Sequence, residues 1–420
     1  MLAAAALACA AQTPPSWPVP PPPPSATAAA AVAGPNLAQA LQAAWERTQA
    51  AAGAQGQLQR AEAEQLAAGT WLAAAPSLNL SVRSDRWLAN AGAREQELGV
   101  SLPLWWPGQQ QARQAAAQAA RQLAVYSSAA ERLRLAGQLR ELAWAGALLQ
   151  AEWAAAQRWR DALQALSADV ARRVAAGDLA KTDLLNAQAE ALRAAASADE
   201  LLLRWEAERQ RWLALTGLNP LDLSAADQGA TDAPAARPWD AAGLDAHPAL
   251  LLQRQTVALA QRQVEAARRD RADAPELSLG LRSDSADAGR SRAGSLSVAL
   301  RLPLGSDAHK QPQQAAALSA LRSAEADEVR LRSQLATELA IARQALDSAA
   351  AQLRTEQARA ALLRERSALV GAAFRAGETA LREQLSAAHD AAAADAAQAR
   401  QRVALGLAQA RLQQAQGLLP

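Results

Sequence analysis

Residues 97–119 read ELGVSLPLWWPGQQQARQAAAQA, and the period of the chain changes inside them. Leu98, Val100, Leu102 and Leu104 alternate with Glu97, Gly99, Ser101 and Pro103, which is the two-residue period of a strand with one apolar and one polar face. After Trp105, Trp106, Pro107 and Gly108 the alternation stops, and a run of Ala, Gln and Arg begins, all strong helix formers. No proline occurs between Pro107 and Pro220, so nothing in 109–176 forces a break. An unbroken helix over that span would be about 100 Å long at ~1.5 Å per residue.

Working outward, the same passage occurs twice. Leu102-Pro103-Leu104 recurs as Leu302-Pro303-Leu304, Gln114-Ala115-Ala116-Ala117 as Gln314-Ala315-Ala316-Ala317, and Ala176-Gly177-Asp178 as Ala376-Gly377-Glu378, all at an offset of 200 residues. Leu185 and Leu385 continue the match. A self-match at fixed offset marks an internal repeat. A second long helix is therefore expected from about 310 to 376, since no proline lies between Pro312 and Pro420.

Within that span, Leu335, Leu339, Ala342, Leu346, Ala349, Leu353, Ala360, Leu363, Val370 and Phe374 follow steps of four and three, interrupted only by Glu356 and Ser367. The first span carries Leu139, Leu142, Leu149, Trp153, Ala156, Leu163, Leu166 and Val170 in a looser version. Sustained 3.5-residue spacing predicts helices that coil along a neighbour. Gly177 and Gly377 then end the helices as C-cap glycines, and return helices are expected over 179–215 and 379–418.

Each long helix is preceded by a predicted hairpin. Leu78, Leu80 and Val82 alternate with Asn79, Ser81 and Arg83 ahead of the 98–104 strand, with the tip near 85–93. In the second half Leu277, Leu279 and Leu281 alternate with Glu276, Ser278, Gly280 and Arg282, and Leu296, Val298, Leu300 and Leu302 with Ser295, Ser297, Ala299 and Arg301, with the tip near 284–292. Strands of this length and pattern suit a transmembrane β-barrel with lipid outside and water within. Four strands cannot close a barrel, and unpaired backbone is not tolerated in lipid, so several chains must contribute. Trp87, Trp105 and Trp106 lie at strand ends, where an interfacial girdle would sit. Spacing alone also fits a pair of antiparallel coiled-coil hairpins with no pore.

Composition narrows the function. Half the chain is apolar, yet aromatics are 3%, with one Phe, one Tyr and one Met. Alanine supplies helix propensity and little buried area, which suits close-packed long helices rather than the thick core of a globular enzyme. The formal charge is +2 and no block of one sign stands out, which argues against nucleic acid. His247, His309 and His389 are isolated from one another and from Cys9, so no metal-ligand cluster is expected. There is no phosphate-binding Gly-Lys motif and no apolar run of transmembrane-helix length. Residues 1–11 are apolar and small, a Pro-rich spacer covers 14–24, and Ala6-Leu7-Ala8-Cys9 is lipobox-like, making Cys9 a candidate lipidation site; the alternative is signal cleavage near Ala10.

In the order helix, hairpin, long helix, glycine tip and return helix, performed twice, the sequence resembles the TolC family of outer-membrane efflux proteins. ELGVSLPLWWPGQQQARQAAAQA resembles the family's strand-to-helix passage, RRVAAGDLAKTDLLNAQAE from Arg172 and AFRAGETALREQLSAAHD from Ala373 resemble its two helix tips, and HPAL at His247 the opening of its second repeat. The resemblance covers 36–420. It divides the chain into an N-terminal segment (1–35), a first repeat (36–216), an inter-repeat linker (217–246) and a second repeat (247–420).

The resemblance implies a mainly α fold with a small β part. Long coiled-coil hairpins would form a periplasmic α-barrel below four transmembrane strands per chain, in a homotrimer of the cell outer membrane. It implies no catalysis and no cofactor. The expected role is passive export of small molecules or metal ions, PLWWPGQ and RAGE being similar to the metal-efflux branch. An adaptor protein and an inner-membrane pump, the RND type among them, would meet the tips. Arg172, Arg173, Gly177, Asp178, Lys181, Asp183, Arg375, Gly377, Glu378 and Arg382 are the candidate gate and docking residues. Many relatives carry an Asp shortly after the second tip glycine; here the stretch is Glu378-Thr379-Ala380-Leu381-Arg382, and Asp183 stands on the first tip instead. The rival reading is a non-pore periplasmic scaffold or adaptor, and helix-end charges that merely balance the macrodipole are the rival for the tip residues.

Overall fold

The structure is a computed structural model that describes residues 36–84, 94–220, 241–270, 272–285, 293–304 and 307–420. Cys9, Trp87, the hairpin tips at 85–93 and 286–292, and most of the 217–246 linker lie outside the described residues.

The elements run α1 (Leu37–Arg47), α2 (Gln49–Gly69), β1 (Ser77–Ser84), β2 (Arg94–Pro103), α3 (Gln109–Ala176), α4 (Lys181–Thr216), α5 (Ala241–Asp245), α6 (Pro248–Arg269), β3 (Glu276–Ser285), β4 (Ala293–Arg301), α7 (Asp307–Ala376) and α8 (Leu381–Ala415). The fold is mainly helical with one small sheet. The helix from 109 to 176 is continuous, as the missing prolines predict. The second long helix starts at Asp307, earlier than expected, and contains Pro312. Pro312 is the sixth residue of that helix, in its second turn, so the Ala308 carbonyl lacks the backbone donor it would otherwise meet there. The return helices begin at Lys181 and Leu381 because Ala180 and Ala380 take extended N-cap conformations.

Helix ends follow local chemistry. Asn36 opens α1 with a capping box: its side chain accepts from Gln39 N at 2.8 Å, and Gln39 Oε1 accepts from Asn36 N at 3.1 Å. His247 caps α6, its Nδ1 accepting from Ala249 N at 3.2 Å, with Pro248 at the first helical position.

The strands form one antiparallel meander in the order β1-β2-β3-β4. The register aligns the apolar positions across all four: Leu78, Val100, Leu279 and Val298 make one rung, and Leu80, Leu98, Leu281 and Leu296 the next. Period two then puts every polar partner on the opposite face.

The helices make two tiers. Next to the sheet the order is α2, α3, α6, α7; towards the glycine tips it is α4, α3, α8, α7. Side chains join neighbouring helices within each tier: Arg121 reaches Glu62 at 3.6 Å, Gln253 donates to Ala324 O at 2.9 Å, and Arg364 pairs with Asp395 at 2.6 Å. On α7 the seam read from the sequence is the covered face: Leu335, Leu339, Ala342, Ala349, Ala360 and Phe374 are buried. The helices approach closely because the seam is small. Gly406 in α8 lies under the Trp144 ring, where an added Cβ would stand 2.0 Å from Cη2. Glycine in a helix costs about 1 kcal/mol relative to alanine, and here the ring fills its place.

Candidate functional site

Three places carry the features a site needs: the sheet, the glycine tips and the waist where the tiers meet. On the sheet, Leu78, Leu80, Val82, Leu281, Leu296, Val298 and Leu300 are all more than half exposed. A continuous apolar face of this kind is a surface for lipid or for another protein. The opposite face is polar. Asn79 Nδ2 donates to Ser101 Oγ at 3.1 Å, Ser101 and Ser278 hydroxyls lie 3.2 Å apart, and Arg282 reaches Glu95 at 3.1 Å and Asp284 at 2.9 Å. Among the described residues both outer strands, β1 and β4, leave one edge without a partner. Trp105 and Trp106 stand just below, with indole N–H groups donating to Thr70 O at 2.9 Å and Asp273 O at 2.7 Å.

At the tips Gly177 and Gly377 have φ of +88° and +81°, the left-handed region that favours glycine. Asp178 N donates to Arg173 O, and Glu378 N to Ala373 O, each at 2.9 Å, so both helices close with the same Schellman turn. The two tips share one small core of Val170, Ala187, Phe374 and Leu381.

The expected tip residues divide. Arg173 is turned inward: it meets Asp169 at 3.2 Å, donates to Phe374 O at 3.2 Å, and lies 4.9 Å over the Phe374 ring. It joins the two tips. Arg172 pairs with Asp169 at 2.9 Å and stays 73% exposed. Asp178, Lys181, Arg375, Glu378 and Arg382 are exposed at the end of the bundle, and Asp183 stands half-buried in the first turn of α4.

The waist holds what sequence reasoning missed. Arg140 is 2% exposed; its Nη1 donates to Gln414 Oε1 and its Nη2 to Leu418 O at 2.9 Å. Gln414 Nε2 in turn donates to Leu133 O at 2.9 Å, and Arg411 forks onto Glu141 at 2.7 and 2.8 Å. Burial lowers the Arg140 pKa from its ordinary value, and the bond to Glu141 raises that of Arg411. Arginine remains charged through such shifts. His247 is 4% exposed and packs on Gly417; burial lowers its pKa, opposed by its bond to the Gln414 backbone. Gly137 and Gly406 lie against Gln414 and Trp144 and mark close packing here, whereas Gly146, in the same helix as Gly137, meets nothing within 4 Å.

Among the described residues no three His, Cys, Asp or Glu side chains gather to hold a metal, and no helix is long and apolar enough to cross a membrane.

No protein-family model matches the sequence, and no curated protein matches it significantly. Solved structures do. The outer membrane protein VceC from the bacterial pathogen Vibrio cholerae is 17% identical, with 91% of this chain and 96% of that one aligned at a TM-score of 0.69. CusC, whose structures were described for its folding and transmembrane channel formation, is 16% identical over 91% of this chain and 92% of its own, with a TM-score of 0.73. The open state of the MtrE outer membrane channel of Neisseria gonorrhoeae is 15% identical over 92% and 90%, with a TM-score of 0.71. What the chain shares with them at this identity is the fold, and it is the fold of the TolC-type channels that the sequence resembles.

Proposed function

We propose that the chain is the subunit of a homotrimeric outer-membrane channel for passive export, with its helical tunnel in the periplasm. The observation that carries this is the pair of unlike open edges each chain offers. Every layer ends on one side in the first half of the sequence (β1, α2, α4) and on the other in the second half (β4, α7). Head-to-tail contacts of that kind close into rings. The leucines on the two helix edges agree. Leu185 and Leu192 on α4 are 56% and 73% exposed, Leu362 and Leu369 on α7 are 68% and 66% exposed, and each pair is one heptad apart. Counted from the tips, the pairs lie within about 5 Å of the same height at ~1.5 Å per residue.

Three copies would give twelve strands, with the apolar face towards lipid and the Ser, Asn and ion-pair face towards water. Function then needs no catalytic group. The pore opens when the tip helices untwist, and energy comes from an adaptor and an inner-membrane pump, of the RND type, that meet the exposed tip charges. Small molecules and metal ions are the cargo classes that fit. A periplasmic scaffold without a pore leaves the apolar sheet face without a purpose. The test is to purify the chain from outer membranes and reconstitute it in planar bilayers. A heat-dissociable trimer with discrete conductance is expected; a water-soluble monomer that leaves bilayers silent would contradict the proposal.

A further inference from the structure

The return helices α4 and α8 end in the same way, 200 residues apart. Gly217 and Gly417 have φ of +71° and +72°. A Cβ added to Gly217 would lie 2.7 Å from Arg47 Nη1, and one added to Gly417 would lie 2.7 Å from His247 Cδ2. Arg47 and His247 are also 200 residues apart, each just before the helix that follows, α2 or α6. Each joint at the waist is therefore closed by a side chain laid over a glycine. Their settings differ. Arg47 is exposed and always charged, whereas His247 is 4% exposed.

His247 Nδ1 accepts from Ala249 N at 3.2 Å, which requires that nitrogen to be unprotonated. The ring also bonds to the Gln414 backbone, and a bond that favours the charged form is one the ring donates. The ring thus ties the first turn of α6 to the last turn of α8. A proton on Nδ1 ends the bond to Ala249 and puts a charge at the positive end of α6. The charged groups around the joint are Arg140 and Glu141 of α3, Glu338 of α7 and Arg411 of α8, which line a cavity of about 470 Å³ with His247, and Asp245 at the end of α5. Glu141 is forked by Arg411, and Asp245 is held by Arg254 at 2.8 Å and by Arg332. Glu338 is exposed on α7. None of these carboxylates raises the His247 pKa; burial lowers it, and only the Gln414 bond opposes burial.

We propose that His247 is an acid-released latch between α6 and α8. At neutral pH the ring is uncharged and the joint is closed. A freed imidazole titrates near 6.5, so below that pH the released, protonated ring is increasingly favoured, until the latched ring takes up a proton as well. Arg47 does not change charge over this range, so the first-repeat joint stays closed. The consequence for the channel rests on the proposed function: α8 carries one of the two tips, and acid loosens that hairpin alone and favours the open pore.

Hydrogen exchange of the full chain in detergent, read by mass spectrometry at pH 7 and pH 5 and normalised to the intrinsic rate at each pH, tests the latch. Protection over 405–418 is expected to fall about tenfold at pH 5, each pH unit below 6.5 being up to tenfold in favour of release. Protection over 205–217 should not change. His247→Asn, whose amide can accept the Ala249 bond and takes up no proton, should keep its protection at pH 5. Unchanged protection over 405–418 in the unmutated chain overturns the latch. So does an equal loss in His247→Asn, which assigns the response to another group, or an equal loss over 205–217, which makes it general acid unfolding. In planar bilayers the open fraction should rise at pH 5 in the unmutated chain and not in His247→Asn. A flat open fraction beside a responding exchange overturns the role in opening. Bilayers silent at both pH values overturn the channel reading, and the exchange result still decides the latch.

Discussion

The two long helices, α3 and α7, are nearly equal in length and end in the same glycine turn, yet they are placed differently. Helix α3 packs on α2 and α6 near the sheet and on α4 and α8 towards the tips, so neighbours of the same chain cover it on both flanks. Among the described residues helix α7 packs on α6 and α8 along one flank, with a short contact to α5, and Val329, Ile341, Leu362 and Leu369 remain exposed on it. A helix covered on several sides can be stabilised by its own chain. One covered on a single side relies on something outside.

This difference sets the expected sizes of mutational effects. Arg140 lies in α3 at the waist, 2% exposed, and its loss would leave a cavity there and strand Gln414 Oε1 and Leu418 O in a part-buried setting. Arg140→Ala is expected to cost about 3 kcal/mol, an unsatisfied buried group being worth ~1–3, measured by denaturant unfolding at fixed chain concentration. Next come two glycines. Gly406→Ala drives a methyl into the Trp144 ring and should cost about 1–3 kcal/mol by overpacking. Gly146→Ala in α3 meets nothing within 4 Å and should stabilise by about 0.5–1 kcal/mol. The opposite signs make this pair diagnostic of where helices touch.

Acid gives a smaller, graded effect. With its pKa lowered by burial, His247 is held neutral in the folded chain while the unfolded chain titrates near 6.5. Above that pH both states are neutral and nothing changes. Below it the unfolded state takes up the proton first, so stability falls as pH drops towards the folded pKa, by at most about 1.4 kcal/mol per pH unit. His247→Gln should flatten that slope in denaturation measured from pH 7 to 5. Smallest is Arg330→Ala on α7: its pair with Asp327 at 3.0 Å is exposed, and the change should stay within about 0.5 kcal/mol. A cost as large as that of Arg140→Ala would remove the distinction between the helices.

The same difference explains what could be read from the sequence. The α7 seam was legible as clean heptads because that helix keeps one face covered along its length, where Leu335, Leu339, Ala342, Ala349, Ala360 and Phe374 are buried. The α3 pattern looked loose because Ala112, Ala117, Ala119, Ala124, Leu133, Leu135 and Leu139 are buried against different neighbours. Strand alternation was legible because the sheet keeps one face apolar throughout. Arg140 was not, since nothing in Leu139-Arg140-Glu141 separates a buried arginine from the exposed ones at Arg132, Arg134 and Arg158 of the same helix. Its partners lie more than 270 residues away and only the fold brings them together. Arg173 was legible as a tip residue, but its turn onto Phe374 depends on the meeting of two tips that the sequence writes 200 residues apart.

Whether the bare flank of α7 meets α4 of another copy can be measured by cysteine cross-linking. In a Cys9→Ser background the chain has no other thiol. Introducing Leu185→Cys and Leu369→Cys together, then oxidising in membranes, should yield covalent dimers and trimers on a denaturing gel, with either single variant remaining monomeric. Efficient disulfide formation only within one chain, or none at all while Leu192→Cys with Leu362→Cys is equally silent, would contradict a ring closed through these edges.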